Sequence, residues 1–242
     1  MKGSDLEEVE PILPSFKQFL ANVKEINKNF ICRNVIIAST LRNIGNVALI
    51  TYLPVFYQQV FPKHLAEYSL LNAIQQMLAF SSIICGAILS HKFEKKTFMV
   101  QPLLCMLGAW LAIPLTVASC ICFNNFYLSM ALSSLSIFIS GSFFGPAITM
   151  MQNSVSQENY GNVVSLYTFI TNFIRSPIPA LVTILAHKFG AIANPKIYGY
   201  LLAGFTTFGF GLSGIFYWRA GRAYAQMMRA SGGAGAAGSV GG

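Results

Sequence analysis

The chain has 242 residues, of which 54% are hydrophobic and only 10% charged, and its mean hydropathy is +0.56. Soluble domains usually carry about 25% charged residues, so a soluble globular protein is excluded and a polytopic membrane protein is the class that fits. The net charge of +8 is not a nucleic-acid footprint, because Lys and Arg flank apolar runs and form no basic arm or face.

The first 30 residues are acidic, contain Pro11 and Pro14 and lack an apolar core, so no cleavable signal peptide is read there. Ser15-x-x-Gln18 has the form of a capping box. Phe16, Phe19, Leu20, Val23 and Ile26 then recur at helical intervals, with Lys17, Lys24, Glu25 and Lys28 elsewhere on the wheel. This predicts a short amphipathic helix on the membrane surface, the alternative being a flexible linker. Residues 1–29 are therefore read as a cytoplasmic linker with an interfacial helix.

Six apolar runs follow, at 31–60, 67–90, 98–122, 126–152, 161–187 and 197–218, each near or above the roughly 20 residues needed to cross a bilayer. The first carries Ser39, Arg42, Asn43 and Asn46, then Pro54. The second carries Asn72, Gln75, Gln76, Ser82 and Gly86. The third is almost purely apolar in its centre. The fourth is rich in Ser and Gly and ends at Gly145-Pro146. The fifth bears Ser165, Thr168, Asn172 and Arg175 on one helical face, then Pro177 and Pro179. The sixth is threaded with Gly204, Gly209, Gly211 and Gly214, small residues that let helices approach closely. On polarity, spans one, two, four and five form an inner ring, and spans three and six are peripheral. The bundle is drawn over 30–222 and a flexible Gly/Ala-rich tail over 223–242.

Lys17, Lys24, Lys28 and Arg33 precede the first span, Lys92, Lys95 and Lys96 follow the second, and Arg219, Arg222 and Arg229 follow the sixth. Only Lys63, Lys188 and Lys196 fall on the other side. This bias places both termini in the cytoplasm. The five cysteines show no metal-ligand spacing and read as packed free thiols. His64, His91 and His187 lie at span ends. No cofactor and no metal is expected.

A guanidinium at mid-membrane costs at least roughly 3 kcal/mol on insertion scales, so Arg175 needs an answering group. One reading is an anionic substrate in an internal cavity; the other is a strut to carbonyls freed near Pro177 and Pro179. Arg42 is nearer a span end, where it serves a substrate or a gate, or snorkels. Asn46, Gln75, Gln76 and Asn172 complete the candidate binding set, which is expected to converge with Ser39, Arg42 and Arg175 on one internal surface. All eight acidic residues lie outside the spans or at their edges, so no membrane carboxylate is on hand to carry a proton. A rhomboid-like protease needs a Gly-x-Ser-Gly turn and a histidine at the same depth. Ser140-Gly141-Ser142 has no such histidine in a later span. Mitochondrial-carrier repeats are missing too. The chain is therefore read as having no catalytic residues and as not being an enzyme.

Residues 86–96, Gly-Ala-Ile-Leu-Ser-His-Lys-Phe-Glu-Lys-Lys, resemble the loop between the second and third helices of a major facilitator superfamily half. Gly86, Lys95 and Lys96 match that motif, while Ser90 stands for its Asp, His91 for a basic residue and Phe93 for its second Gly. Thr40-Leu41-Arg42-Asn43-Ile44-Gly45-Asn46, Tyr52-Leu53-Pro54, Gly145-Pro146 and Tyr160-Gly161-Asn162-Val163-Val164-Ser165 add to the likeness. The resemblance covers roughly residues 15–225 and is to the C-terminal half of such a transporter. It implies an all-α membrane protein, a six-helix half-bundle of 3+3 inverted repeats, with Gly86, Lys95 and Lys96 in a gating loop. It also implies a partner, an N-terminal six-helix half, in the same chain or a separate one, with a second copy as the alternative. Together these expectations describe half of a secondary transporter that moves a small organic anion by alternating access. The alternative is a transporter-derived subunit that only supports a larger membrane complex.

Overall fold

Asn29 starts the first membrane helix. Its side-chain oxygen accepts the amides of Ile31 and Cys32 at 3.0 and 3.2 Å, satisfying two of the donors a helix start leaves open. Its amide group donates to the carbonyl of Ser154 at 2.7 Å, tying this start to the end of the fourth span. The computed structural model describes residues 23, 24, 26, 28–94 and 99–238. The proposed interfacial helix over 15–28 lies largely outside the described residues, as do Lys95 and Lys96.

From Asn29 the chain runs as α1 (Phe30–Val60), a 3-10 turn (Pro62–His64), α2 (Leu65–Glu94), α3 (Val100–Ile121), α4 (Phe126–Gly141), α5 (Phe144–Gln152), a second 3-10 turn (Gln157–Asn159), α6 (Tyr160–Arg175), α7 (Ile178–Lys188) and α8 (Lys196–Gly238). No strand occurs among the described residues. Six segments are long and apolar enough to cross a membrane: Phe30–Val60, Pro62–Ser90, Val100–Ile121, Phe126–Gln152, Tyr160–Lys188 and Lys196–Ala230. The first five match the spans read from sequence to within a few residues. The sixth does not stop at 218. Tyr224 is 1% exposed and its hydroxyl accepts from Asn153 at 2.9 Å, so the helix continues through a packed segment. The boundary drawn at 222 therefore falls inside α8.

Spans four and five are each broken near the middle. In span four the ladder is interrupted between Gly141 and Phe144, and Pro146 falls in the first turn of α5, where a missing N–H is tolerated. Side chains take up the carbonyls before the break: Ser82 donates to Phe138, Ser142 to Ile139 at 3.2 Å, and Arg42 to Ser140 at 2.6 Å. The Ser140 hydroxyl donates to Ile137 at 3.3 Å, so these serines complete a helix end. In span five Pro177 and Pro179 impose the break between Arg175 and Ile178.

Span one packs along span six, span three packs along spans six and four, and span two packs on span four. The close approaches are made at glycines. A Cβ on Gly209 would come within 2.5 Å of the Leu41 carbonyl oxygen, and one on Gly86 within 2.6 Å of that of Ser142. Gly86 thus lies inside α2 at a helix crossing, not in a loop. Spans three and six are as enclosed as span one, 44% of their central windows being buried, because they hold each other while Leu107, Trp110, Leu111 and Phe208 stay exposed on their other faces. Spans two and five are only 22% buried and carry the open faces. Two main apolar clusters fill the interior. One, around Cys32, Val35, Met150, Val163 and Tyr217, lies toward the termini. The other, around Phe56, Tyr57, Phe126, Val182 and Leu202, lies toward the opposite end.

Candidate functional site

Arg42 is fully buried between these clusters. One guanidinium nitrogen donates to the Cys105 carbonyl at 3.0 Å and another to Ser140 at 2.6 Å. Its central carbon stands 4.1 Å from the centre of the Phe143 ring and 5.0 Å from that of Phe210. Hydrogen bonds to a charged group contribute about 1.5–3 kcal/mol each, and a desolvated cation–π contact about 2 kcal/mol. Together these offset the roughly 3 kcal/mol of placing the charge there. The Nε group has no partner among the described residues. The Cys105 and Ser140 carbonyls belong to α3 and α4, so Arg42 pins spans one, three and four together. It neither lines a cavity nor snorkels, which corrects the expectation of a substrate-facing Arg42.

Ser39 and Gln75 lie in the interior as well. Ser39 is 2.8 Å from the Tyr217 hydroxyl. Gln75, 1% exposed, donates to Ser134 at 3.0 Å and faces the Met130 carbonyl at 3.5 Å, joining spans two and four. Asn46 is half-buried and Gln76 exposed. The expected single converging surface therefore does not form: Ser39, Arg42 and Gln75 are used up inside the half. Polar spacing reveals that residues share a helix face, but not what that face meets.

The fifth span behaves differently. Ser165, Thr168, Asn172 and Ser176 line a shallow hollow of about 650 Å³ together with Phe169 and Phe173. Arg175 follows Asn172 by three residues and Thr168 by seven, so it stands on the same face. It is exposed, and among the described residues no hydrogen bond or ion pair reaches its side chain. The strut reading of Arg175 therefore has no acceptor among the described residues. Position helps the charge, since Arg175 ends α6, where the helix dipole favours a cation. Phe169 and Phe173 stack with ring centres 6.0 Å apart and an interplanar angle of 16°. Sequence reasoning passed over this pair, although an aromatic pair at i and i+4 beside the polar stripe was there to read. The hollow thus offers a polar strip and an aromatic wall, and Arg175 stands next to it at the helix break, outside its lining.

At the opposite end of the bundle His64 and Glu67 form the one ion pair among the described residues, at 2.8 Å, and Tyr127 donates to Glu67 at 2.7 Å. This cluster fastens the turn between spans one and two to the start of span four.

A family model described as the Major Facilitator Superfamily matches residues 4–179. Among solved structures, a bacterial homolog to the human lysosomal transporter Spinster, inward-facing and unoccupied, is similar at a TM-score of 0.65 with 17% identity. The match covers 90% of this chain and 53% of that one, so the chain spans about half the length of that transporter. At this identity the likeness is one of fold. No curated protein matches the sequence.

Proposed function

The chain belongs to the major facilitator superfamily, and from that premise we propose that it is half of a secondary transporter. It works by alternating access with an N-terminal six-helix half, carried by the same chain or a separate one. The cargo is a small organic anion whose charged group is held by Arg175. The observation that carries this is the state of Arg175: exposed on a polar face at the midpoint of a membrane span, with no acceptor among the described residues. A cation left unanswered at that depth is strongly unfavourable, so the answering charge comes from outside this half. Asn172 and Thr168 supply neutral hydrogen-bonding groups beside it, and Phe169 and Phe173 an apolar wall. The open faces of spans two and five support a second six-helix body as the partner. The basic residues flanking spans one, two and six support cytoplasmic termini.

The test is uptake into proteoliposomes holding this chain together with an N-terminal half, using radiolabelled monocarboxylates, phosphate esters and sulfate esters as cargo. Arg175→Gln is expected to abolish uptake of the transported class while folded yield is kept. Arg175→Lys keeps the charge but loses the two-pronged donor, so uptake falls and folding does not. Unchanged uptake by well-folded Arg175→Gln would end the proposal.

A further inference from the structure

We infer that the last helix, beyond Trp218, carries a binding surface for the headgroup of an anionic phospholipid. Arg219, Arg222, Gln226 and Arg229 follow one another at intervals of three, four and three residues, which puts them in one stripe along α8. All four are exposed. The stripe's direction is fixed by the other side of the helix, where Ala220, Gly221, Tyr224 and Ala225 are buried. No acidic residue occurs between Lys196 and Gly238, and no ion pair to these arginines is present among the described residues. Arg219 lies 6.0 Å from the Phe216 ring.

The nature of the partner follows from what the stripe continues into. Toward the membrane interior the same arc of the helix carries Phe208, Ile215 and Trp218, which are 56, 48 and 41% exposed. The chemistry changes from apolar to cationic at a single level. From Lys196 to Trp218 the helix rises about 33 Å at 1.5 Å per residue, close to the roughly 30 Å of hydrocarbon in a bilayer. The apolar part therefore faces acyl chains, Trp218 marks the interface, and Arg219 and Arg222 stand at headgroup depth. Arg229 lies about 15 Å beyond Arg219 along the axis, at the outer reach of the surface potential. A single lipid with its chains along Phe208 and Ile215 brings its phosphate to Arg219 and Arg222. A soluble acidic partner would use the stripe but has no reason to continue along its apolar part.

The test is a titration of the purified full chain in detergent with phosphatidylserine and with phosphatidylcholine of the same acyl chains, bound lipids being counted by native mass spectrometry. Phosphatidylserine is expected to bind tenfold or more tightly than phosphatidylcholine, as roughly expected for two basic side chains at a charged surface. The double variant Arg219→Gln/Arg222→Gln should bring the two lipids within twofold of each other with its helix content unchanged, and Arg229→Gln should keep most of the preference. Lys188→Gln/Lys196→Gln, at the other end of the bundle, should keep all of it. Equal binding of the two lipids by the parent chain, or a preference that survives in the arginine double variant or vanishes in the lysine one, overturns the inference.

Discussion

Arg42 and Arg175 are the same residue type in two membrane spans of one bundle, yet their surroundings are opposite. Arg42 is closed in, with two carbonyls and two aromatic rings around its guanidinium. Arg175 reaches nothing among the described residues. The difference lies in the neighbouring span. Arg42 faces the break in span four, where helix carbonyls lie free and unclaimed by backbone donors. Arg175 sits at a break in its own span and points away from the bundle. A membrane arginine is structural where its own fold supplies acceptors, and open to function where it does not.

The largest expected effect breaks the comparison on the Arg42 side. Arg42→Gln removes the cation but keeps an amide, and should destabilise the bundle by about 3–5 kcal/mol, the scale of losing one partner from a buried charged contact. Thermal unfolding in detergent reads this out. Arg175→Gln should change stability in the same measurement by no more than about 0.5 kcal/mol, as expected of an exposed site. Equal destabilisation by the two variants would erase the distinction drawn between them.

Gly209→Ala should come next. The added methyl meets the Leu41 carbonyl one residue before Arg42, so span one must shift relative to span six, at a cost of about 1–3 kcal/mol. A variant as stable as the parent would show that the α1–α8 crossing tolerates more distance than its geometry suggests. A smaller effect than that of Gly209→Ala is expected for Gln75→Leu, which removes a hydrogen bond between spans two and four. Interhelical bonds of this kind average about 0.6 kcal/mol. A larger loss would mean that Gln75, like Arg42, holds an end of the fourth span in place.

Much of this architecture was legible. The prolines at 177 and 179 and the apolar runs announce where helices break and cross. Family membership was legible from Gly86 and its surroundings, although Gly86 itself turned out to serve packing against Ser142. Two things were not legible. The first is the destination of Arg42: the polar residues at 39, 42, 43 and 46 define a face, but only the fold brings Ser140 and Phe143 to it. The second is the end of the sixth helix. Trp218-Arg219 closes the apolar run, but a helix need not stop where its apolar run does, and Tyr224 has a partner in Asn153 that lies 71 residues away. On the fifth span the polar stripe was read correctly as a face, and its exposure followed from the lack of partners within this half.

Of the unbroken helices, α1 and α3 each pack along α8, and the two jointed spans attach to this set. In mechanical terms the three form a beam. The part of α8 from Lys196 to Ala230, 35 residues, is about 52 Å long at 1.5 Å per residue. A beam of that length pivoting by roughly 10° about its middle carries each end about 4–5 Å sideways. A small rotation at the level of the breaks therefore becomes, at the two ends of this helix, a displacement wider than a water molecule.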